Sequence, residues 1–356
     1  MNEEQLVVSR AGRLGSIRLN RPKALNSINL DMVRRFSAAL DDFVFDEDIC
    51  AIFVAGEGER GLCAGGDIRR LYELGPGERH SFASFWKEEY ELNARIASCP
   101  KPYIVVMDGL VMGGGVGISA HGRYRIATER SHIAMPETGI GFIPDVGASW
   151  LLGRAGALGL YMALSGAAAN AGDAIRVGLA DVMVETRRLP GLARRLEAIE
   201  DENEIGGLLA EAAMKPERGA LELHEASIEA ATAQKSVEDI IAAFGADASP
   251  FARQAVAEFA RKPPTSLRLT HGLIGRGARA ASLEACLLDE FRVACRLLDS
   301  HDLFEGIRAA IIDKDHKPLW RPASLAEVPW EAVAPMFEPS SLEEPAFKHW
   351  PAQRRS

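Results

Sequence analysis

The sequence predicts an α/β protein whose C-terminal part is almost entirely helical. Two apolar runs, CAIFVA at 50–55 and YIVVMD at 103–108, have the length and composition of buried strands. Strands alternate with helical patterns through about residue 190, which is typical of α/β architecture. Beyond that point nearly every segment has helical apolar spacing. We therefore predict an α/β core over residues 1–190 and a helical C-terminal region over 191–356.

The first elements follow from local patterns. Residues 5–9 and 14–19 alternate as short strands and are joined by a turn at Gly12. The apolar residues of 30–44 fall on one helical face, and Asn29 is a suitable N-cap for that helix. These residues therefore predict a strand pair followed by an amphipathic helix.

The remaining elements are predicted with less local detail. A short helix begins at Asp67, a longer one covers 79–98, and a strand lies near 123–127. The C-terminal helices are predicted over 191–213, 225–246, 250–261, 267–277 and 282–311. The Pro- and Trp-containing tail at 314–356 is expected to wrap over the surface.

Composition and charge exclude several classes of function. The chain has 356 residues, 47% of them hydrophobic, and its net charge of −9 disfavours binding to nucleic acid. No apolar run is long enough to cross a membrane, so no membrane partner is expected. The N-terminal MNEEQ lacks the pattern of a secretion or transit signal, which predicts a cytoplasmic protein. The five cysteines form no CxxC pair, so we expect free thiols and no metal.

Two segments predict a strand, a Gly-rich turn and a helix in succession: LCAGGDI at 62–68 and MGGGVGIS at 112–119. The backbone N–H groups of such turns can face a ligand, although tight packing explains one turn equally well. Neither segment is a phosphate-binding loop, and the chain has no GxSxG nucleophile elbow. Two turns that each offer one N–H group suggest an oxyanion hole for a carbonyl oxygen.

The segment HIAMPETGIGFIPDVG at 132–147 places two carboxyl groups, Glu137 and Asp145, among small and apolar residues. Acids are usually exposed, whereas a segment this apolar is usually buried. The pair is therefore either two surface acids or a buried pair held for chemistry. Burial would raise the pKa of Glu137 toward neutrality, as suits a general base.

Four motifs resemble the crotonase superfamily, which binds acyl-CoA thioesters. They are RPKALNSIN at 21–29, LCAGGDIR at 62–69, MGGGVGIS at 112–119 and AMPETGIGFIPDVG at 134–147. The resemblance runs from about residue 14 to 330, and it implies a crotonase-type spiral of ββα units with a helical C-terminal region. Further motifs, FWKEEYELN at 85–93 and FEGIRAAIIDKDHKPLWRP at 304–322, resemble the 3-hydroxyisobutyryl-CoA hydrolase branch.

The resemblance also implies roles for individual residues. The N–H groups of Gly66 and Gly114 would form the oxyanion hole, and Glu137 would either attack the thioester or activate a water. Asp145 would position that water or bind a substrate hydroxyl, which Glu89 could bind instead. CoA would lie along a set of mostly backbone positions: Ala24, Leu25, Ala64, Asp67 and Ile68. The side chain of Asp67 is expected to cap the helix that starts there.

Two positions separate the hydrolase from the hydratases of the superfamily. Hydratases resemble this sequence but use two glutamates, and the second falls where this chain has Gly117. They carry glycine where this chain has Asp145. The sequence therefore predicts hydrolysis of a short 3-hydroxyacyl-CoA, as in valine degradation, with no cofactor beyond the CoA of the substrate. The alternatives are an enoyl-CoA hydratase or isomerase and a non-catalytic CoA-binding homologue; superfamily members commonly form trimers, so a homo-oligomer is also expected.

Several other polar residues are given structural roles. Glu88, Glu89 and Glu91, on a helix with Lys87, are equally explained as a solvated charged face. His121 shows no metal-ligand spacing, and Cys63 is expected to pack beside its turn.

Overall fold

The structure is a computed structural model, and it describes residues 4–350. Two parallel-rich sheets form its centre. The strands are β1 Leu6–Ala11, β2 Leu14–Leu19, β3 Ala51–Gly56, β4 Gly61–Cys63, β5 Tyr103–Met107, β6 Leu110–Met112, β7 Tyr124–Ala127, β8 His132–Ala134 and β9 Val182–Met183. In one sheet, six strands lie in the order β1-β2-β3-β5-β7-β9; in the other, three strands lie in the order β4-β6-β8. Of the pairs that these nine strands form, β1 with β2 is antiparallel and the others are parallel.

Seventeen α-helices lie within the described residues. Those of the first half are α1 Leu30–Phe45, α2 Ile68–Glu73, α3 Ala83–Ala97, α4 Gly114–Gly117, α5 Ala148–Arg154, α6 Gly156–Ser165 and α7 Ala171–Arg176. Those of the second half are α8 Leu189–Glu197, α9 Glu204–Ala212, α10 Ala220–Leu223, α11 Glu225–Thr232, α12 Val237–Ala246, α13 Pro250–Phe259, α14 Pro264–Gly277, α15 Leu283–Leu297, α16 His301–Ile307 and α17 Trp330–Val333. None of them is long and apolar enough to cross a membrane.

The two sheets alternate along the chain, which makes the spiral of ββα units. Strands β3, β5 and β7 enter the large sheet, and each is followed within a few residues by a strand of the small sheet. Strands β3 and β5 are buried almost throughout, as their apolar runs predict. The α/β spiral with C-terminal helices that the sequence predicts is therefore confirmed.

The small sheet was not predicted, and it changes how the Gly-rich turns are built. The turns follow the three-residue strands β4 and β6, rather than the long buried strands β3 and β5. Both short strands pair in parallel within one sheet, so the two turns leave the same edge. This sheet thus brings together backbone groups that lie about fifty residues apart in sequence.

The N-terminal predictions are confirmed in detail. Gly12 takes φ +58° between β1 and β2, and the Asn29 side chain accepts a 3.0 Å hydrogen bond from the Met32 N–H at the start of α1. By contrast, three long C-terminal helices are broken in the structure, the first being 191–213, which divides into α8 and α9. The predicted 225–246 helix divides at Ser236, and the 282–311 helix at Ser300, because each serine caps a new helix.

Residues on the two sides of the predicted boundary at residue 190 pack into a common core. Helices α8 and α9 cover one face of the large sheet, where Leu192 and Leu196 share a core with Phe53 and Val106. Beyond residue 314 the chain follows the surface, with the Trp320 indole donating to the Arg261 carbonyl and the Trp350 indole to the Arg95 carbonyl. The predicted tail's last six residues, 351–356, lie outside the described residues, as do residues 1–3.

Candidate active site

A cavity of about 210 Å³ opens between the two Gly-rich turns, α3 and the segment after β8. Its wall is mostly apolar, and three carboxyl groups face into it: Glu89, Glu137 and Asp145. These side chains are only 2%, 8% and 5% exposed. They are therefore buried acids around a chamber of small-ligand size, and not two surface acids.

The first wall of the cavity is made by the two turns. Gly66 lies in the turn between β4 and α2, and Gly114 is the first residue of α4, directly after the turn that follows β6. A Cβ placed on Gly114 would lie 3.4 Å from the Gly66 nitrogen, which shows how closely the turns approach. Within residues 4–350, neither N–H group donates to a protein acceptor. Two available donors on one side of a cavity suit an oxygen that gains negative charge.

Glu137 lies beside the second turn, at the start of a 3₁₀ turn over Glu137–Ile140. Its Oε1 would be only 2.6 Å from a Cβ on Gly113, and its Oε2 has no hydrogen-bond partner within the described residues. Burial, then the charge of Asp145, raises the pKa of Glu137 well above its ordinary value, and Lys262 opposes this. The buried, unpaired oxygen is free to act on a ligand in the cavity.

Asp145 is held by a residue that sequence reasoning missed. The hydroxyl of Tyr90 donates a 2.7 Å hydrogen bond to Asp145 Oδ2, and both side chains are buried. Burial raises the pKa of Asp145 to about 7, whereas the Tyr90 bond lowers it. The spacing of Tyr90 beside Glu89 in EEY is the only local signal, and it does not reveal a partner fifty-five residues away.

The third acid comes from α3. The Oε1 atom of Glu89 lies close to Gly114, and it has no hydrogen-bond partner within residues 4–350. Burial, followed by the charges of Asp145 and Glu137, raises the pKa of Glu89. Three buried carboxyl groups that repel one another cannot all be ionised at neutral pH, so the site offers both a proton donor and a base.

The solvated face considered for Glu88, Glu89 and Glu91 is right for two of these acids and wrong for Glu89, which is buried. Glu88 forms an ion pair with Arg34 at 2.6 Å, and Glu91 accepts a hydrogen bond from the Ala346 N–H. Glu89 alone of these three acids faces the cavity. The helix therefore presents one face to solvent and another to the cavity.

The space beside Gly117 is filled. A Cβ on Gly117 would lie 2.7 Å from Cβ of Val146 and 2.9 Å from Nδ2 of Asn93. Asn93 lies one helical turn after Glu89, is fully buried, and has no hydrogen-bond partner within the described residues. The side chains of Val146 and of Asn93 on α3 thus occupy the room that a longer residue at position 117 would need.

The predicted CoA-contacting residues separate into two groups. Ala64 and Ile68 line the cavity, whereas Ala24, Leu25 and Asp67 do not. Leu25 still adjoins the site, because its carbonyl accepts a 3.0 Å hydrogen bond from the Ala64 N–H. Ala24 is exposed beside it, so this strip of backbone leads from the cavity to the surface.

One expectation about Asp67 is wrong. Its side chain makes no capping hydrogen bond to α2 and instead pairs with Arg21 at 2.9 Å. Arg21 also donates to the Ser27 carbonyl, so this ion pair fastens the turn at 21–27 to the first Gly-rich turn. An available arginine competes successfully with the backbone N–H groups because the resulting bond joins two charges.

The residues given structural roles behave accordingly. Cys63 is fully buried, and burial raises its pKa to about 12, which makes it a poor nucleophile. His121 Nε2 lies 2.8 Å from the Val146 carbonyl, and burial lowers the pKa of this histidine to about 4. The neutral ring therefore donates to the loop that carries Asp145. Among the residues described, no group of three or more His, Cys, Asp and Glu side chains could hold a metal ion.

Comparison with known proteins gives consistent matches. A family model described as enoyl-CoA hydratase/isomerase (ECH_2) matches residues 14–337. A mouse protein named 3-hydroxyisobutyryl-CoA hydrolase, mitochondrial, is 38% identical over 342 residues, which cover 94% of this chain and 89% of the relative.

Two solved structures resemble the chain over nearly its whole length. One is of a carnitinyl-CoA dehydratase from Mycobacterium thermoresistibile, with 41% identity, a TM-score of 0.89, and coverage of 96% of this chain and 98% of that one. The other is of an enoyl-CoA hydratase from Rhodobacter sphaeroides, with 38% identity, a TM-score of 0.88, and coverage of 94% and 98%. The fold is common to all of these proteins, so the site must decide the reaction.

Proposed function

Because the chain belongs to the enoyl-CoA hydratase/isomerase family, we propose that it hydrolyses 3-hydroxyisobutyryl-CoA or a similar short 3-hydroxyacyl-CoA, as in valine degradation. Water adds to the thioester carbonyl, the carbon–sulfur bond breaks, and the products are a 3-hydroxy acid and free CoA. CoA is part of the substrate, and the reaction needs no other cofactor. The relatives named as hydrolases support this choice over their near-complete length.

The thioester oxygen would lie between the N–H groups of Gly66 and Gly114. These donors have no protein partner within residues 4–350, so they need not be released from another bond when a substrate arrives. Addition to the carbonyl places negative charge on the oxygen, and fixed donors stabilise that charge more than they stabilise the neutral carbonyl. The CoA arm would leave past Ala64 and Ile68 toward the backbone at Ala24, Leu25 and Asp67.

Glu137 would supply the attack on the carbonyl carbon. It either bonds to that carbon, giving an anhydride that water then cleaves, or takes a proton from a water that attacks directly. Asp145 would position this water or accept a hydrogen bond from the 3-hydroxyl of the substrate. Glu89, when protonated, could instead donate to that hydroxyl, since it faces the cavity beside Gly114.

The filled space beside Gly117 is the observation that carries the proposal. Hydration needs a second acid, and the position that supplies it in the resembling hydratases has no side chain here and no room for one. Asp145 meanwhile faces the cavity from the segment after Glu137. The site thus keeps two oxyanion donors and places its acids on α3 and on the 137–145 segment.

The test is a thiol-release assay across a panel of acyl-CoA substrates, with and without a 3-hydroxyl. We expect the fastest release from short 3-hydroxyacyl-CoA. Glu137→Gln should lower kcat by at least about a hundredfold, with KM little changed, because it removes the attacking or proton-accepting group. Glu88→Gln is the matched control, since Glu88 lies on α3 but outside the cavity. Near-normal turnover by Glu137→Gln would contradict the assignment.

The two forms of attack by Glu137 can be distinguished by isotope. In a single turnover in ¹⁸O-water, cleavage of the anhydride at the Glu137 carbonyl leaves the new oxygen in the protein. General-base catalysis places it in the released acid, as does cleavage of the anhydride at the acyl carbon, so label in the protein is specific to the anhydride. Mass spectrometry of the 137-containing peptide and of the product reads both outcomes.

An enoyl-CoA hydratase is the second candidate, because the two solved structures described above are named as a dehydratase and a hydratase. Crotonyl-CoA distinguishes the candidates, since hydration removes the absorbance of the conjugated thioester without releasing thiol. Rapid hydration with no thiol release from any substrate would favour this second candidate. Binding of CoA without turnover would favour a non-catalytic homologue.

Location and assembly complete the proposal. We propose a cytoplasmic location, which fractionation of cells that express the protein would test; the mouse relative is named as mitochondrial. A homo-oligomer is proposed from the superfamily resemblance, and light scattering of the purified chain would test it.

A further inference from the structure

A buried acid outside the cavity holds the loop that carries Asp145. Glu290, on α15, is fully buried, and both of its oxygens are engaged. Oε2 accepts a 2.7 Å hydrogen bond from the Gly147 N–H. Oε1 accepts from the Ser149 N–H at 2.8 Å and from the Ser149 hydroxyl at 2.5 Å. All three donors come from residues that follow Asp145 within four positions.

The backbone between Asp145 and Ser149 is in an unfavourable conformation. Val146 has φ +54° and Gly147 has φ +83°. A β-branched residue rarely adopts the left-handed region, so surrounding contacts must impose it. A carboxyl group that accepts from the N–H groups on both sides of Ala148 is such a contact. The His121 ring supports the same turn from the Val146 carbonyl.

The turn is coupled directly to the acid. The Asp145 carbonyl accepts a 2.8 Å hydrogen bond from the Ala148 N–H, so Asp145 and α5 share one turn of backbone. The Asp145 carboxyl group is then aimed by the Tyr90 hydroxyl on its other side. Glu290 itself does not line the cavity and cannot touch a ligand there.

We propose that Glu290 is a positioning residue for the reaction: by binding the Gly147 and Ser149 donors it fixes the strained turn that aims Asp145 into the cavity. This inference rests on the proposed function, because it assigns Asp145 a part in thioester hydrolysis. The expected effect is large, because a shift of about 1 Å in a catalytic group can lower the rate by about a hundredfold.

The proposal is tested by a double-mutant cycle between Glu290→Gln and Asp145→Asn. The carboxamide keeps the size of Glu290 but turns an NH₂ group toward one of the N–H donors. We expect Glu290→Gln to lower kcat at least tenfold with KM changed less than threefold, and to have less than a threefold further effect in the Asp145→Asn background. Ser149→Ala, which removes only the hydroxyl bond, should have a smaller effect than Glu290→Gln.

The cycle separates this role from a general loss of stability. If Glu290 only stabilises the fold, its substitution lowers the melting temperature without changing kcat of the folded enzyme, or lowers kcat equally in both backgrounds, and either result overturns the proposal. Amide hydrogen exchange at Gly147 and Ser149 gives a readout that does not depend on activity. Faster exchange confined to this turn in Glu290→Gln supports the proposal, and unchanged exchange overturns it. Failure of the wild type to release thiol from any substrate would instead count against the proposed function.

Discussion

The Tyr90 hydroxyl donates a 2.7 Å hydrogen bond to Asp145 Oδ2, and both side chains are buried beside the cavity. This bond favours the ionised form of Asp145, whose pKa burial raises to about 7. The pKa of Asp145 therefore depends on its burial and on a hydrogen bond from a residue in a distant part of the sequence.

Tyr90→Phe should shift the pH profile of the enzyme. The substitution removes the bond that lowers the pKa of Asp145, so that pKa rises, and the rise in kcat with pH should move to higher pH. The profile of kcat against pH between 5 and 9 measures this shift. Tyr103→Phe is the control, because the buried Tyr103 hydroxyl donates to the Ile118 carbonyl and not to an acid of the cavity. An unchanged midpoint in Tyr90→Phe would contradict the role given to the bond.

Asp145→Asn should stabilise the folded protein at alkaline pH. The folded-state pKa of Asp145, about 7, lies above its ordinary value of 3.8, so folding takes up a proton between these values. The stability contributed by this group is thus complete below about pH 4 and is lost as pH rises through about 7. Asparagine can still accept from Tyr90 and carries no charge.

Thermal unfolding at pH 5 and pH 8 checks this prediction. We expect the variant to gain on the order of a few kcal/mol relative to wild type at pH 8, and clearly less at pH 5. An equal change at both pH values would show that Asp145 ionises in the folded state as it does in water.

Gly117→Ala should destabilise the protein, although alanine is normally favoured over glycine in helices. Its Cβ would lie 2.7 Å from Cβ of Val146, so the core must shift, at about 1–3 kcal/mol. Gly206→Ala is the matched control: position 206 lies in α9 with nothing within 4 Å of a Cβ, and should gain about 0.5–1 kcal/mol. Chemical denaturation measures both changes, and a neutral Gly117→Ala would remove the steric argument against a hydratase acid there.

Phe142→Leu should widen the range of accepted acyl chains. The Phe142 ring stacks on Trp86 with centroids 5.1 Å apart, and both rings line the cavity. Shortening this wall gives room for a longer chain, so the ratio of kcat/KM for hexanoyl-CoA to that for the short hydroxylated substrate should rise. Phe259→Leu makes the same chemical change in the core away from the cavity, and it should leave the ratio unaltered. A similar rise in both variants would indicate general loosening.

Local patterns were enough to predict much of the fold. The apolar run at 50–55 predicts β3, and Asn29 predicts the start of α1, because burial of a strand and capping of a helix depend on residues close in sequence. The strands β4, β6 and β8 were missed, since three residues carry too little periodicity to be recognised. The breaks at Ser236 and Ser300 are readable only as serine caps inside otherwise helical patterns.

The site, like the fold, has features that follow from the sequence and features that depend on the tertiary structure. The sequence by itself determined which residue types are present: two Gly-rich turns, the acids Glu137 and Asp145, and glycine at 117. Only the tertiary structure decided that Glu89 completes a triad of buried acids, that Tyr90 holds Asp145, and that Asp67 pairs with Arg21 instead of capping α2. The physical reason is that pairing and burial depend on distances between segments far apart in sequence, and packing of the two sheets and α3 sets those distances.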